Sequence, residues 1–127
     1  MNDRELYRTA QKAFENAYAP YSGFKVGAAL LAADGTVFTG VNVENSTYGA
    51  TICAERTAVV KAVSEGFYDF SKIAVASSGG SAWPCGICRQ FMYEFNTDMK
   101  VITGDDENNL ESYELSELLL KGFRLER

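Results

Sequence analysis

The chain has 127 residues, of which 46% are hydrophobic and 23% are charged, as is ordinary for a globular protein of one domain. Its formal net charge of −5 argues against a partner that is a nucleic-acid polymer, because binding to phosphates needs a basic face. No apolar run approaches the roughly 20 residues of a membrane span and the polar start Met1–Arg4 is no signal peptide, so we expect a cytoplasmic protein with no membrane partner.

The first half of the chain predicts a helix followed by a β-hairpin. Apolar residues recur at helical spacing over residues 3–17, and Asp3 is the expected N-cap. The runs 25–33 and 36–43 predict two strands, because the Asp34-Gly35 pair between them is typical of a tight hairpin turn.

The second half predicts alternating helices and strands. Helices are expected over residues 51–65 and 84–95, each followed by a short β-branched strand, and an edge strand and a short helix end the chain. The hairpin and the β-α-β-α-β order that follows imply an α/β fold, with a mixed sheet of about five strands between helices on its faces. We expect one three-layer α-β-α domain over residues 1–127. The predicted later strands and last helix are 73–76, 101–103, 110–113 and 116–121.

All three cysteines lie in two short motifs, Cys53-Ala54-Glu55 and Pro84-Cys85-Gly86-Ile87-Cys88, and the chain has no histidine. An odd number of cysteines fits a reducing cytoplasm better than a disulfide framework. Cys85 and Cys88 are spaced as a recurrent zinc half-site at a predicted helix start, and Cys53 begins another predicted helix. Because the positive ends of helices favour thiolate, all three thiols are suited to a metal.

Three thiolate ligands leave the fourth position of a zinc ion open to water, as is typical of a catalytic site. We therefore predict one Zn²⁺ per chain. Two alternatives stay open at this point: a redox dithiol formed by the Cys-x-x-Cys pair, and a structural zinc site closed by an acidic fourth ligand. The missing histidines exclude a Ser-His-Asp triad and a Cys-His nucleophile pair.

Glu55 and Arg56 lie two and three residues after the first cysteine, Cys53. A carboxylate beside the metal can accept a proton from water and pass it on, although a helix-start acid that interacts with the helix dipole is the simpler interpretation of Glu55 alone. Three thiolates give a zinc site a formal negative charge, which a guanidinium hydrogen-bonded to sulfur would partly compensate. Arg56 is the first candidate for that role and Arg89 is the second.

The segments 53–58 (CAERTA) and 84–90 (PCGICRQ) closely resemble the cytidine deaminase family, in its variant with three cysteines. The similarity continues through residues 19–22, 24–29 and 40–45 and covers nearly the whole chain in the order of the family. The resemblance implies the small homotetrameric type, in which neighbouring subunits share active sites.

The resemblance also implies an activity, namely zinc-dependent hydrolysis of cytidine and deoxycytidine to uridine and deoxyuridine plus ammonia, in pyrimidine salvage. Cys53, Cys85 and Cys88 would hold the metal. Glu55 would take a proton from the attacking water, protonate N3 of the base and help the amino group leave.

Six further residues match substrate-binding positions of the family. Phe24 would pack near the pyrimidine, the backbone of Ala54 would hold the base carbonyl, and an asparagine and a glutamate would bind the ribose hydroxyls. A tyrosine near the 5′ end of the sugar and an aromatic residue of the tail would be lent by a neighbouring subunit. These last four residues are Asn42, Glu44, Tyr48 and Phe123.

Other functions remain possible on the sequence alone. A deaminase of a modified cytosine nucleoside, such as the blasticidin type, would differ at Glu44 and in the tail. A deoxycytidylate deaminase is disfavoured because no basic pair accompanies the sugar loop. From different classes, a structural zinc module that binds a protein and a metal-free dithiol protein also fit the cysteines.

Overall fold

The computed structural model of this protein describes residues 1–126, and in these residues a central sheet is packed between helices. A 3₁₀ turn is formed by Tyr48–Ala50. No helix in the described part of the chain has the length and apolar character that crossing a bilayer requires. The elements follow the chain in the order α1 (Asp3–Phe14), β1 (Val26–Ala32), β2 (Val37–Val41), α2 (Ala54–Ser64), β3 (Phe70–Ser77), α3 (Gly86–Tyr93), β4 (Lys100–Gly104), β5 (Leu110–Glu114) and α4 (Leu115–Leu118).

The five strands form one mixed sheet in the order β2-β1-β3-β4-β5. The β3–β4 pair is parallel and is joined through α3, whereas the other three pairs are antiparallel. Leu30 is paired with Phe38 of β2 on one side and with Ile73 of β3 on the other, so β1 lies between these two strands. The predicted mixed sheet of about five strands is confirmed.

Alternate residues of β1 pack into two separate cores. Ala28 and Leu30 face α2 and α3, whereas Ala29 and Leu31 face α1. Because successive side chains of a strand point to opposite faces, β1 is buried on both sides and its sequence is apolar throughout. The arrangement confirms the predicted three-layer α-β-α fold.

The first helix begins at residue 3 as predicted, but its N-cap residue and its C-terminal end differ from the prediction. Asn2, rather than Asp3, is the N-cap, since its Oδ1 accepts a hydrogen bond of 2.8 Å from the backbone N–H of Glu5. Asp3 instead forms ion pairs with two lysines of the sheet, at 2.8 and 2.6 Å. The helix ends before residue 17 because the backbone N–H of Tyr18 donates to the carbonyl of Asn42.

Two later helices begin two or three residues after their predicted starts. Ile52 exchanges two backbone hydrogen bonds with Val43 and is therefore extended, so α2 begins at residue 54 and Cys53 is its N-cap. In the same way α3 begins at residue 86, with Cys85 as its N-cap. The last helix lies at 115–118 rather than 116–121. Lys121 has a positive φ of 57°, which is incompatible with a right-handed α-helix.

Gly40 allows β2 and α2 to approach through their backbones. A Cβ atom at this position would lie 2.4 Å from both the carbonyl oxygen of Ala54 and the amide nitrogen of Ala58. A larger residue would therefore push the first turn of α2 away from the sheet. Because Gly40 has no side chain, the start of α2, which carries Cys53, lies directly against β2.

Candidate metal centre and pocket

The three cysteines predicted as ligands lie together, although they come from two helix starts. Their Sγ atoms all lie within 4.8 Å of one another, and the Sγ atoms of Cys53 and Cys85 are 3.7 Å apart. That distance is far longer than a disulfide bond of about 2.0 Å. A tetrahedral zinc with Zn–S bonds of about 2.3 Å separates its sulfurs by about 3.8 Å. The cluster therefore has the size that a zinc ion requires.

The cluster also has the charge that suits a cation. A hydrogen bond from Cys88 lowers the pKa of the Cys53 thiol to about 5, with help from Arg56 and Cys85, while burial opposes the shift. The hydrogen bond to Cys53 and burial raise the pKa of Cys88 above its ordinary value. One thiolate therefore makes the next harder to form, and a divalent cation among the sulfurs supplies the charge for full ionisation.

Arg56 lies against this cluster, as predicted. Its Nη2 is 3.8 Å from the Sγ of Cys53 and 3.4 Å from the carbonyl oxygen of Thr51. Its buried Nε has no hydrogen-bond partner among the described residues. The second candidate, Arg89, donates instead to the carbonyls of Pro84 and Leu118, at 2.6 and 2.7 Å. Of the two candidates, Arg56 is therefore the one whose guanidinium lies beside the sulfur of Cys53.

Glu55 is the second residue of α2, and its side chain points into a pocket beside the cysteines. The residue is only 4% exposed. Burial raises the pKa of its carboxyl to about 7, because a charged carboxylate loses solvation there. A carboxyl with such a pKa can both accept and return a proton near neutral pH.

The pocket is a cavity of about 230 Å³, at the end of the sheet where α2 and α3 begin. Asn42 lies in its wall, where its Oδ1 accepts a hydrogen bond from the N–H of Val26 and its Nδ2 donates to the carbonyl of Phe24. These two bonds fix the orientation of the amide. The remaining lining residues are Phe24, Val26, Thr51, Ile52, Cys53, Ala54, Glu55, Val75, Ala82, Trp83 and Cys85.

A second hollow of about 380 Å³ adjoins the pocket, and Thr51 lines both. Glu44 lies in this hollow, where its carboxylate accepts hydrogen bonds from Ser22 Oγ and from the backbone N–H groups of Ser22 and Tyr21. The bond from Ser22 Oγ is the main reason that the pKa of Glu44 is below its ordinary value. Tyr48 also lines the hollow, yet 80% of its surface is exposed. The carboxylate of Glu44 is therefore held ionised at the wider end of the site.

Phe123 lies apart from the other predicted substrate residues. It is 65% exposed, and its carbonyl accepts a hydrogen bond from the Nε2 of Gln90 at 2.8 Å. Within residues 1–126, it is not among those that line the pocket of its own chain.

The residues of this site lie in a part of the chain that matches a known protein family. The family model described as "Cytidine and deoxycytidylate deaminase zinc-binding region" matches residues 1–104, which include all three cysteines and Glu55. The chain belongs to the cytidine and deoxycytidylate deaminase family. Family membership makes zinc the metal that the three-cysteine centre fits.

Individual members of the family are similar over most of their length. A probable cytidine deaminase of Dictyostelium discoideum is 50% identical, over 88% of this chain and 80% of the relative. The cytidine deaminase of Sporosarcina psychrophila is 47% identical over 99% and 94%. The crystal structure of cytidine deaminase from Burkholderia pseudomallei superposes with a TM-score of 0.91 at 42% identity, covering 97% of this chain and all of that one. The predicted family and fold are confirmed.

Sequence reasoning missed several walls of this cytidine deaminase-type pocket. Val26 and Val75 lie on adjacent strands and read as ordinary core residues. The predicted helix 51–65 includes Thr51, which in the structure lies before α2. Trp83 had a usable signal, since the single tryptophan of the chain directly precedes the Pro-Cys pair.

Proposed function

We propose that this protein catalyses the zinc-dependent hydrolytic deamination of cytidine and deoxycytidine to uridine and deoxyuridine, as a single catalytic domain over residues 1–127. The observation that carries the proposal is a buried Glu55 in a pocket whose end is formed by Cys53 and Cys85. Cys53, Cys85 and Cys88 would hold the metal through three sulfurs, which leaves one coordination position for the attacking water. A structural zinc site would need no buried carboxylate in an open pocket.

Each chain residue then has a defined task. When bound, zinc polarises the attacking water. Glu55 takes a proton from that water and delivers it to N3, while the hydroxyl group adds to C4 of the base. Glu55 next takes the proton of the new C4 hydroxyl group and transfers it to the exocyclic amino group. The C4–N bond then breaks, the C4 carbonyl forms, and ammonia leaves. Because the carboxyl is buried, the protons pass between water and base without loss to bulk solvent.

The substrate we propose is a nucleoside rather than a nucleotide. Phe24, Asn42 and the backbone of Ala54 would hold the base, and Glu44 would accept a hydrogen bond from the 3′-hydroxyl in the adjoining hollow. None of the residues described as lining that hollow is cationic, and Glu44 is an ionised carboxylate that would repel a phosphate. The proposed role of the enzyme is therefore the salvage of free pyrimidine nucleosides in the cytoplasm.

The direct test is the ultraviolet absorbance of cytidine incubated with the purified protein, with ammonia measured in parallel. We expect cytidine and deoxycytidine to be converted, whereas deoxycytidylate should react much more slowly. No change of either nucleoside in protein that contains zinc would refute the proposed function. Preferential turnover of the nucleotide would refute the assignment of the sugar end.

Arg56→Ala should leave zinc bound but lower kcat/KM by about 10- to 100-fold, as is typical when a partner of a metal ligand is lost. The physical reason is that the sulfur of Cys53 loses its neighbouring cation. Arg56→Lys retains the positive charge and should recover part of the rate. Metal analysis and steady-state kinetics on both variants check this expectation, and an unaltered kcat/KM in Arg56→Ala would contradict it.

We also propose a homotetramer in which the exposed Tyr48 and Phe123 complete the site of a neighbouring subunit. Their exposure of 80% and 65% supports this, because aromatic side chains so exposed are expected at an interface. Mixing two inactive variants, Glu55→Gln and Phe123→Ala, after dissociation should restore activity in hybrid oligomers. Self-mixed variants are the control. A fully active monomer, or verified hybrids without activity, would show that each chain completes its own site.

A further inference from the structure

Trp83 lines the pocket but takes no part in the proposed proton transfers. It is the single tryptophan of the chain, it is partly buried, and it lies two residues before Cys85. Trp83 and Cys85 both line the pocket, and Cys85 is one of the proposed zinc ligands, next to which the reacting carbon would lie. The wall residues Val26, Val75 and Ala82 carry no side-chain donor or acceptor, so they can discriminate between ligands only by shape.

The segment that carries Trp83 is held at several points. The backbone N–H of Ala82 donates to Oγ1 of the buried Thr103 at 3.0 Å, and that of Ser81 donates to Oδ1 of Asp105 at 3.2 Å. The indole also meets the ring of Tyr113 edge-on, with centroids 5.3 Å apart and an interplanar angle of 62°. An indole supported in this way is a fixed wall, because strands β4 and β5 set its position.

We propose that Trp83 is a specificity-determining residue, whose indole limits the size of the group that a cytosine ring can carry beside its reacting carbon. Tyr113 is the positioning residue that holds the indole in place. This inference rests on the proposed function, since it requires a cytosine nucleoside in the pocket. A rigid apolar wall discriminates between ligands that differ by one methylene by about 10- to 200-fold.

The test compares kcat/KM for cytidine with kcat/KM for cytidines that carry methyl, ethyl or propynyl groups at C5, or a methyl on the amino nitrogen. In Trp83→Ala, the ratio of a substituted to the unsubstituted nucleoside should rise at least about 10-fold. Trp83→Phe should give a smaller rise, and Tyr113→Leu an intermediate one. Tyr68→Ala, which removes an aromatic ring that is 62% exposed, is the control and should leave the ratio unchanged.

A second measurement does not depend on turnover or on the folding of a Trp83 variant. In the Glu55→Gln protein, titration with cytidine should change the tryptophan emission with the same Kd that equilibrium dialysis gives, because Trp83 is the single source of that emission. Saturable binding without a change of emission would overturn the inference, as would an unaltered substrate ratio in folded Trp83→Ala. In both cases turnover of cytidine by the unaltered protein would leave the proposed function standing. Failure of the unaltered protein to convert cytidine would overturn both.

Discussion

Glu55→Gln should retain zinc and nucleoside yet lose at least about 10²–10⁴-fold in kcat, which is the usual worth of one positioned proton transfer. The loss should lie at or beyond the upper end, since the proposed reaction uses this carboxyl more than once. Glutamine keeps the size of the side chain and removes its ability to exchange a proton. At a site only 4% exposed, water has little access to replace that function. Single-turnover kinetics with a separate binding titration check the result.

The control is the same substitution at the other end of the same helix. Glu65 is exposed and caps the C-terminus of α2, so Glu65→Gln should leave kcat and zinc content unchanged. If Glu55→Gln retained more than about a tenth of the original rate, the carboxyl would not be the proton carrier. A loss of zinc in Glu55→Gln would instead indicate that Glu55 is a ligand.

Removal of one sulfur should abolish metal binding and activity together. The unaltered protein should contain about one zinc per chain, and Cys85→Ala should contain almost none, because two thiolates and water bind zinc far more weakly than three thiolates. Cys85 is the sharpest position for this test, since its side chain is exposed and its truncation leaves the cores intact. Metal analysis and cytidine turnover on the same sample check both parts.

Circular dichroism distinguishes loss of metal from loss of fold. The buried Cys88→Ala would add a cavity to the larger core, whereas Cys85→Ala should keep a cooperative thermal transition. Removal of zinc from the unaltered protein by a chelator should abolish activity, as Cys85→Ala does. Added zinc should restore activity to the chelator-treated unaltered protein but not to Cys85→Ala. Full activity in protein with no metal, or two zinc ions per chain, would refute the centre as described.

Local chemistry made much of the site predictable. Cys85 and Cys88 are neighbours on a helix start whatever the remainder of the fold does, and Glu55 and Arg56 are tied to Cys53 by adjacency. The convergence of the two motifs was an expectation, and it is confirmed by the 3.7 Å separation of two of their sulfurs. The roles of these residues in catalysis stay predictions.

The rest depends on contacts between distant parts of the chain. The start of α2 was misplaced because the extended backbone of Ile52 is dictated by Val43, and no periodicity reports such a pairing. The strand order required the crossover through α3. The position of Trp83 in the pocket wall depends on contacts of its loop with β4 and β5, and the sequence of the loop does not indicate these contacts.

The contact at Gly40 has a mechanical consequence. Because there is no room for a methyl group between β2 and the first turn of α2, we expect that turn to move together with the hairpin. Cys53, Glu55 and Arg56 therefore keep their mutual distances in any small fluctuation. The sulfur of Cys85 belongs to the start of a different helix, α3. The distance between the starts of α2 and α3 is therefore the distance in the metal centre that we expect to vary most. A zinc ion held by Cys53 and Cys85 would join the two helix starts, so its removal should let the mouth of the pocket widen.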